Sequence, residues 1–229
     1  MLPEFIVPDL KVIPREGGYA RGQDGVEQIL RAALTILVEQ GYRAVTMRAI
    51  AKACDMKLGN ITYYFPTRDE LVRALFDAVI SSYEEAFDAI SHDEGTSVEE
   101  RFESLIRLIL EDITTKKTTR FFPEVWALAN HDPFVSERVD EVYRRARAVL
   151  NELIAELNPA LPEDERETVA LFISASLEGT TMFAGHDKPW RHRMGWLETI
   201  ACRAYVPLVK SLKPGDIRDP RQNRPLDRY

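Results

Sequence analysis

The chain has 229 residues, 45% of them apolar and 29% charged, with a net charge of −7. That length suits one large or two small domains, and the composition is that of a soluble globular protein. The acidic total excludes nucleic-acid binding over the whole surface, and no apolar run approaches the ~18 residues of a membrane span.

The opening stretch MLPEFIVPDLKVIPREGG lacks a basic start, and prolines at 3, 8 and 14 interrupt it, so it reads as no signal peptide. Residues 1–22 form an N-terminal extension for which a minor-groove arm, packing and disorder are all open, its acidic and apolar content favouring the last two. Asp24 followed by Glu27 resembles a capping box, and Val26, Ile29, Leu30, Ala33 and Leu37 continue at helical spacing. Gly41 ends that helix. Thr46 caps a short helix, DMK makes a turn, and a second short helix runs from Leu58 to about Phe65, where Pro66 breaks it. Thr67 with Glu70 then starts a long helix that reaches about Ile90.

Ser97 and Glu100 form another capping box, followed by the apolar stripe Phe102, Leu105, Ile106, Ile109, Leu110 and Ile113. TTRFFPEVWALAN predicts a helix with Pro123 in or near its first turn. Asp132-Pro133 caps a helix reaching about Leu157. Pro159 and Pro162 bracket a turn before a helix over 163–184, and a last helix runs from about Arg191 to Leu212, bent or interrupted near Pro207. The tail 213–229 is polar and proline-rich, and is expected to be flexible. The fold class is therefore all-α, with about nine helices.

Charge is unevenly placed. Residues 42–68 carry a net +4, so the rest of the chain carries −11. A basic patch on an acidic body docks on phosphates locally while the remainder avoids them. The patch coincides with two short helices joined by a tight turn and braced by a third, the helix-turn-helix arrangement. Met47, Ile50, Ala51, Cys54, Met56, Ile61 and Phe65 supply an inward face. Lys57, Gly59, Asn60, Thr62 and Tyr63 are left facing out. Gly59 removes a side chain where backbone must approach a surface, Asn60 suits a base edge, and Thr62 and Tyr63 offer hydroxyls to phosphates. Arg48 can bond a guanine bidentately.

ILRAALTILVEQGYRAVTMRAIAKACDMKLGNITYYFPTRDELVRALFD resembles the N-terminal domain of the TetR family of transcriptional regulators. The likeness spans about 50 residues and rests on Gly41-Tyr42, Thr46, Ile50-Ala51, Gly59, Ile61, Tyr64-Phe65-Pro66, Arg68 and Glu70-Leu71. It implies a double-stranded DNA operator as partner. Lys57, Gly59, Asn60 and Arg48 would then reach bases or nearby backbone, with Thr46, Thr62, Tyr63 and Arg68 on phosphates. Three positions depart from the family pattern. Asp55 replaces the usual turn glycine, Lys57 the usual capping serine, and Thr62 a common tyrosine. Residues 23–71 form the expected DNA-binding domain.

The same resemblance implies that residues 72–212 form a helical domain that binds a small-molecule effector and makes a homodimer through the last two helices. PEVWALANHDPFVSERV with SLEGTTMF resembles the branch containing the choline-responsive repressor. Tyr83, Phe87, Phe102, Phe122, Trp126, Tyr143, Phe172 and Met182 are candidates to line a cavity. Glu178 is the carboxylate in this apolar company. Three roles are open to it: binding a cation, capping a polar network, or reaching solvent. Small residues along 170–179 permit close helix approach, and that helix is apolar on more than one face, as a sandwiched helix is. His186, Asp187 and His192 do not have the spacing of a metal site. Without a phosphate loop, nucleophile elbow or zinc-ligand pair, the sequence predicts neither an enzyme nor a cofactor. Cys54 and Cys202, far apart in sequence, suggest no disulfide framework and a reducing, cytoplasmic setting. Two rival readings remain open: a ligand-independent helical DNA-binding adaptor, and a helical enzyme with a DNA-binding head.

Overall fold

The structure, a computed structural model, describes residues 10–12, 20–93 and 95–217. Most of the N-terminal extension expected over 1–22, and tail residues 218–229, lie outside the described residues. Among the described residues the regular structure is helical: α1 (Ala20–Gln40), α2 (Met47–Ala53), α3 (Leu58–Tyr64), α4 (Arg68–Ser91), α5 (Val98–Ile113), α6 (Lys116–Ala129), α7 (Pro133–Leu157), α8 (Glu163–Ala184) and α9 (Met194–Ser211). Short 3-10 turns cover Tyr42–Ala44 and Arg191–Arg193.

Local chemistry sets most boundaries. The hydroxyls of Thr46, Thr67, Ser97 and Thr115 accept backbone N–H groups at the starts of α2, α4, α5 and α6. Such a cap stabilises a helix by about 1 kcal/mol. Asp132 does the same for Phe134 and Val135, with Pro133 at the first helical position. Ser97 and Glu100 close a reciprocal capping box, as their spacing predicts.

Pro207 lies inside an uninterrupted α9, and two boundaries differ from expectation. α1 starts at Ala20, so Asp24 lies inside the helix; Ala20, Arg21 and Gln23 are good helix formers and carry it backwards in spite of Gly22. α6 starts at Lys116, which puts Pro123 in its interior. Thr115 offers a cap upstream of the proline, and packing holds the helix through the missing N–H.

Buried apolar side chains gather in two clusters. One joins α1, α2, α3 and the first half of α4 to Phe121, Val125 and Val135, so α6 and α7 close over the N-terminal helices. The other joins the end of α4 with α5, α7, α8 and α9. α7 packs against α4, α5, α6 and α8, and α6 also touches α1. Leu10 is buried in the first cluster, and Lys11 N–H donates to the Ala78 carbonyl of α4 at 2.7 Å. Part of the N-terminal extension is thus packed on the long helix.

Candidate DNA-binding face and effector cavity

Ile50, Ile61 and Phe65 are fully buried, as the inward face of the two short helices requires. Between those helices Asp55 has φ 52°, the left-handed conformation that aspartate tolerates better than most residues. The turn therefore survives without glycine. The Met56 N–H donates back to the Ala51 carbonyl at 2.9 Å and tightens it.

Every residue of the outward set is exposed: Thr46, Arg48, Lys57, Gly59, Asn60, Thr62 and Tyr63. Tyr63 is 82% exposed. A Cβ on Gly59 would meet nothing within 4 Å, so no internal contact demands glycine there. Lys57 stands at the cap position of α3 without making a side-chain cap. The Thr46 hydroxyl accepts from Ala49 N–H and keeps its own proton for an outside acceptor. The Thr62 hydroxyl donates to the Gly59 carbonyl at 3.1 Å and must rotate to reach a phosphate.

Tyr64 turns the other way. A Cβ on Gly25 would stand 2.7 Å from its hydroxyl oxygen, so α1 carries a glycine where this ring packs.

Arg68, expected on a phosphate, is occupied within the protein. Its Nε donates to the Val45 carbonyl at 2.6 Å, Nη1 to the Tyr42 hydroxyl at 2.9 Å, and Nη2 to the Tyr42 carbonyl at 3.2 Å. The guanidinium also lies 4.3 Å from the centre of the Tyr42 ring. The Tyr42 carbonyl also accepts the Val45 N–H at 3.1 Å, so it closes the 3-10 turn and holds the fork at once, which corrects the expectation: Arg68 braces the start of α4 to the turn.

Tyr42 is gripped from a second side. Its N–H donates to Glu124 Oε2 at 3.2 Å, the Arg120 guanidinium donates to the Val38 carbonyl at 3.2 Å, and Lys116 pairs with Glu39 at 2.5 Å. All three partners lie on α6. This helix holds the end of α1 with its outer side chains, while Thr118 and Phe122 on the same helix line a cavity.

That cavity measures about 50 Å³ and is walled by Tyr83 and Phe87 from α4, Asp112 from α5, Phe122 from α6, Tyr143 from α7 and Glu178 from α8, among others. Its two carboxylates differ. Asp112 accepts from the Tyr83 hydroxyl at 2.8 Å and the Thr118 hydroxyl at 2.5 Å, and lies 3.6 Å from the buried Lys117 ammonium. Burial and the Asp112 charge push the Tyr83 phenol well above its usual range.

Among the described residues, the groups acting on Glu178 are Tyr143 and Asp112, neither of them basic. Loss of water raises its carboxyl to about 7, the nearby Asp112 charge adds to this, and a hydrogen bond with Tyr143 opposes it. The Tyr143 hydroxyl also accepts from Trp126 Nε1 at 2.9 Å, completing a chain from Trp126 through Tyr143 to Glu178.

Five of the nine expected lining residues are therefore at the cavity: Tyr83, Phe87, Phe122, Tyr143 and Glu178. Trp126 stands behind the wall, bonded to Tyr143. Phe102 is fully buried in the second core cluster. Phe172 and Met182 are 57% and 51% exposed and point away from the interior. Helical spacing shows that α8 has two apolar sides but not which one a neighbour covers; Glu178 lies at the margin between them. Sequence reasoning missed Asp112, Lys117 and Thr118. An Asp and a Lys beside a helix end read as solvated residues, and nothing local signals their burial.

Leu171, Phe172, Met182 and Phe183 of α8, with Trp196 and Ile200 of α9, form an exposed apolar surface. Among the described residues no three His, Cys, Asp or Glu side chains converge as a metal site, and no helix is long and apolar enough to cross a membrane.

Residues 29–75 match the family model for bacterial regulatory proteins of the tetR family, and residues 98–194 match that for the C-terminal part of BetI-type transcriptional repressors. The HTH-type regulator BetI of Stenotrophomonas maltophilia is 24% identical over 158 residues, 67% of this chain and 77% of that protein. An uncharacterized HTH-type transcriptional regulator in the dhlA 5' region of Xanthobacter autotrophicus is 28% identical over 136 residues, 57% of this chain and 66% of that one. Among solved structures, a Saccharomonospora viridis transcriptional regulator in complex with choline superposes with a TM-score of 0.66 at 17% identity, covering 77% of this chain and 95% of that one. Salmonella enterica GusR gives 0.65 at 20% identity, covering 86% and 100%. Both show the shared fold. With a helix-turn-helix in place and family models matched over both halves, the chain belongs to the TetR family and is a DNA-binding transcriptional regulator.

Proposed function

We propose that the protein is a cytoplasmic repressor that leaves its operator when a small organic cation occupies the cavity. Residues 23–71 serve as the DNA-binding domain and 72–212 as the effector-binding and dimerisation domain. Arg48, Lys57, Gly59 and Asn60 meet bases or adjacent backbone, and Thr46, Thr62 and Tyr63 meet phosphates. The exposed apolar surface of α8 and α9 is covered by a second copy, which places two heads on half-sites one DNA turn apart.

A cation is the effector because no basic side chain among the described residues acts on Glu178, which shares the cavity wall with Tyr83, Phe87, Phe122 and Tyr143. Aromatic faces and a carboxylate together favour alkylammonium groups. The choline complex of a protein with this fold, and the match to BetI-type repressors, support the same class.

The observation that carries the regulatory reading is the double role of α6. One side of it lines the cavity and the other holds Val38, Glu39 and Tyr42 at the base of the DNA-binding head. A cavity of about 50 Å³ has room for only a few waters. An organic cation enlarges it by moving its walls, and α6 passes that movement to the head. The ligand then favours the DNA-incompetent state because it fits that state better. Footprinting on the DNA adjoining the protein's own gene tests this. A protected two-fold site that clears on adding tetramethylammonium supports it; protection that the cation leaves unchanged overturns it.

A further inference from the structure

A second, smaller cavity of about 20 Å³ lies beside the first. Its wall comprises Phe76 and Ile80 of α4, Phe121 and Val125 of α6, and Val139 of α7, among others. Phe122, Val142 and Tyr143 line both cavities and form the partition between them. The Phe122 ring is central to it, 5.4 Å from the Phe121 ring, 5.9 Å from Tyr83 and 6.4 Å from Tyr143. Arg138 also borders the space, but its guanidinium reaches Asp77 at 3.7 Å and lies over the Phe134 ring, which leaves its stem on the cavity side.

A space this size is just large enough for one water, yet apolar walls offer that water too few partners to hold it. An apolar group entering there displaces little and regains the dispersion contacts that a void forfeits.

We infer that this second cavity is the tail subsite of the effector, taking an alkyl or aryl arm carried by the cation whose head lies at Glu178. The inference rests on the cation reading above and extends it to the shape of the ligand. Such a ligand spans the partition, with Phe122 turning aside to join the two spaces. Compact cations fill the head site alone. A short arm of two or three carbons reaches between α4 and α6 beside Val125, whose neighbour Glu124 holds Tyr42. The arm therefore acts where the cavity region meets the DNA-binding head.

Calorimetric titration of the full-length protein with tetramethylammonium and its propyl-, butyl- and hexyl-trimethylammonium relatives tests the subsite. In the wild type, affinity should rise about threefold to fourfold per added methylene up to propyl, as burial of each group predicts, and level off for the longer arms that the small space cannot take. Val139→Leu fills the second cavity and should abolish that rise while leaving tetramethylammonium binding within about twofold; Val139→Ala enlarges it and should extend the rise to longer arms. A flat wild-type series, or equal weakening of the shortest and longest cations by Val139→Leu, overturns the tail subsite and leaves the cation reading standing. If no cation binds but 1-propanol binds the wild type and not Val139→Leu, the cation reading falls and the apolar subsite survives. If neither class binds, both fall.

Discussion

Replacing Arg68 by alanine separates a brace from a phosphate contact. The guanidinium makes three hydrogen bonds, to Val45 and twice to Tyr42, at 2.6, 2.9 and 3.2 Å, and lies over the Tyr42 ring. Bonds from a charged donor contribute about 1.5–3 kcal/mol each when buried. Arg68 is half-buried, and water can reach part of the vacated space, so the sum is discounted to roughly 3 kcal/mol. In a chain of this size that lowers Tm by about 6–12 °C. Arg68→Lys is the discriminating control. Lysine keeps a positive charge for a phosphate but cannot span three acceptors in a plane. The bracing account predicts that both variants melt early by similar amounts, read by circular dichroism, and that Arg68→Lys keeps the wild-type salt slope of DNA binding. If Arg68→Ala melts within about 1 °C of wild type while the salt slope falls by about 1, Arg68 is a phosphate ligand and the brace is wrong.

Arg48→Ala should relax base preference at one operator position, whereas Tyr63→Phe should weaken all sites alike; selection from a randomised operator pool reads both, and no effect of either moves the reading face elsewhere. Glu178 carries a carboxyl raised to about 7, so a bound cation competes with a proton below that pH. Tetramethylammonium affinity should fall about tenfold per pH unit below 7 and level off above it, and Glu178→Gln should remove both the affinity and its pH dependence. The sign reverses for the ligand-free protein. A raised carboxyl binds more protons when folded, so stability falls as pH climbs from the ordinary value toward 7, and Glu178→Gln should flatten that trend. Phe172→Glu should turn a dimer into monomers in light scattering, because Phe172 is exposed on α8, as is Phe183 about three turns further along the same helix. An intact dimer that has lost cation binding would return Phe172 to the cavity wall.

What the sequence made legible was local. Thr46, Thr67 and Ser97 announced their helices because a cap and its N–H partners lie three residues apart. The inward and outward faces of α3 followed from spacing alone, and Asp55 adopts the left-handed turn its side chain permits. What stayed hidden depends on partners distant in the chain. Arg68 meets Tyr42 from 26 residues away, and Glu124 meets it from 82. Neither charge signals from its neighbours that a carbonyl or an amide awaits it. Asp112 and Lys117 look solvated until they pair with each other against Tyr83 of α4. On α8 the pattern revealed two apolar sides, but only the packing of α5 and α7 decides that Leu177 is buried and Phe172 is not.

The central claim is that cavity and DNA-binding face share one equilibrium, and linkage makes that measurable from either end. Tetramethylammonium affinity should be determined by calorimetry on the free protein and on the protein saturated with operator DNA, at one salt concentration and pH 8. The account predicts weaker binding to the DNA complex, by the same factor by which the cation weakens binding of the operator. Equal affinity for the free and DNA-bound protein would contradict it.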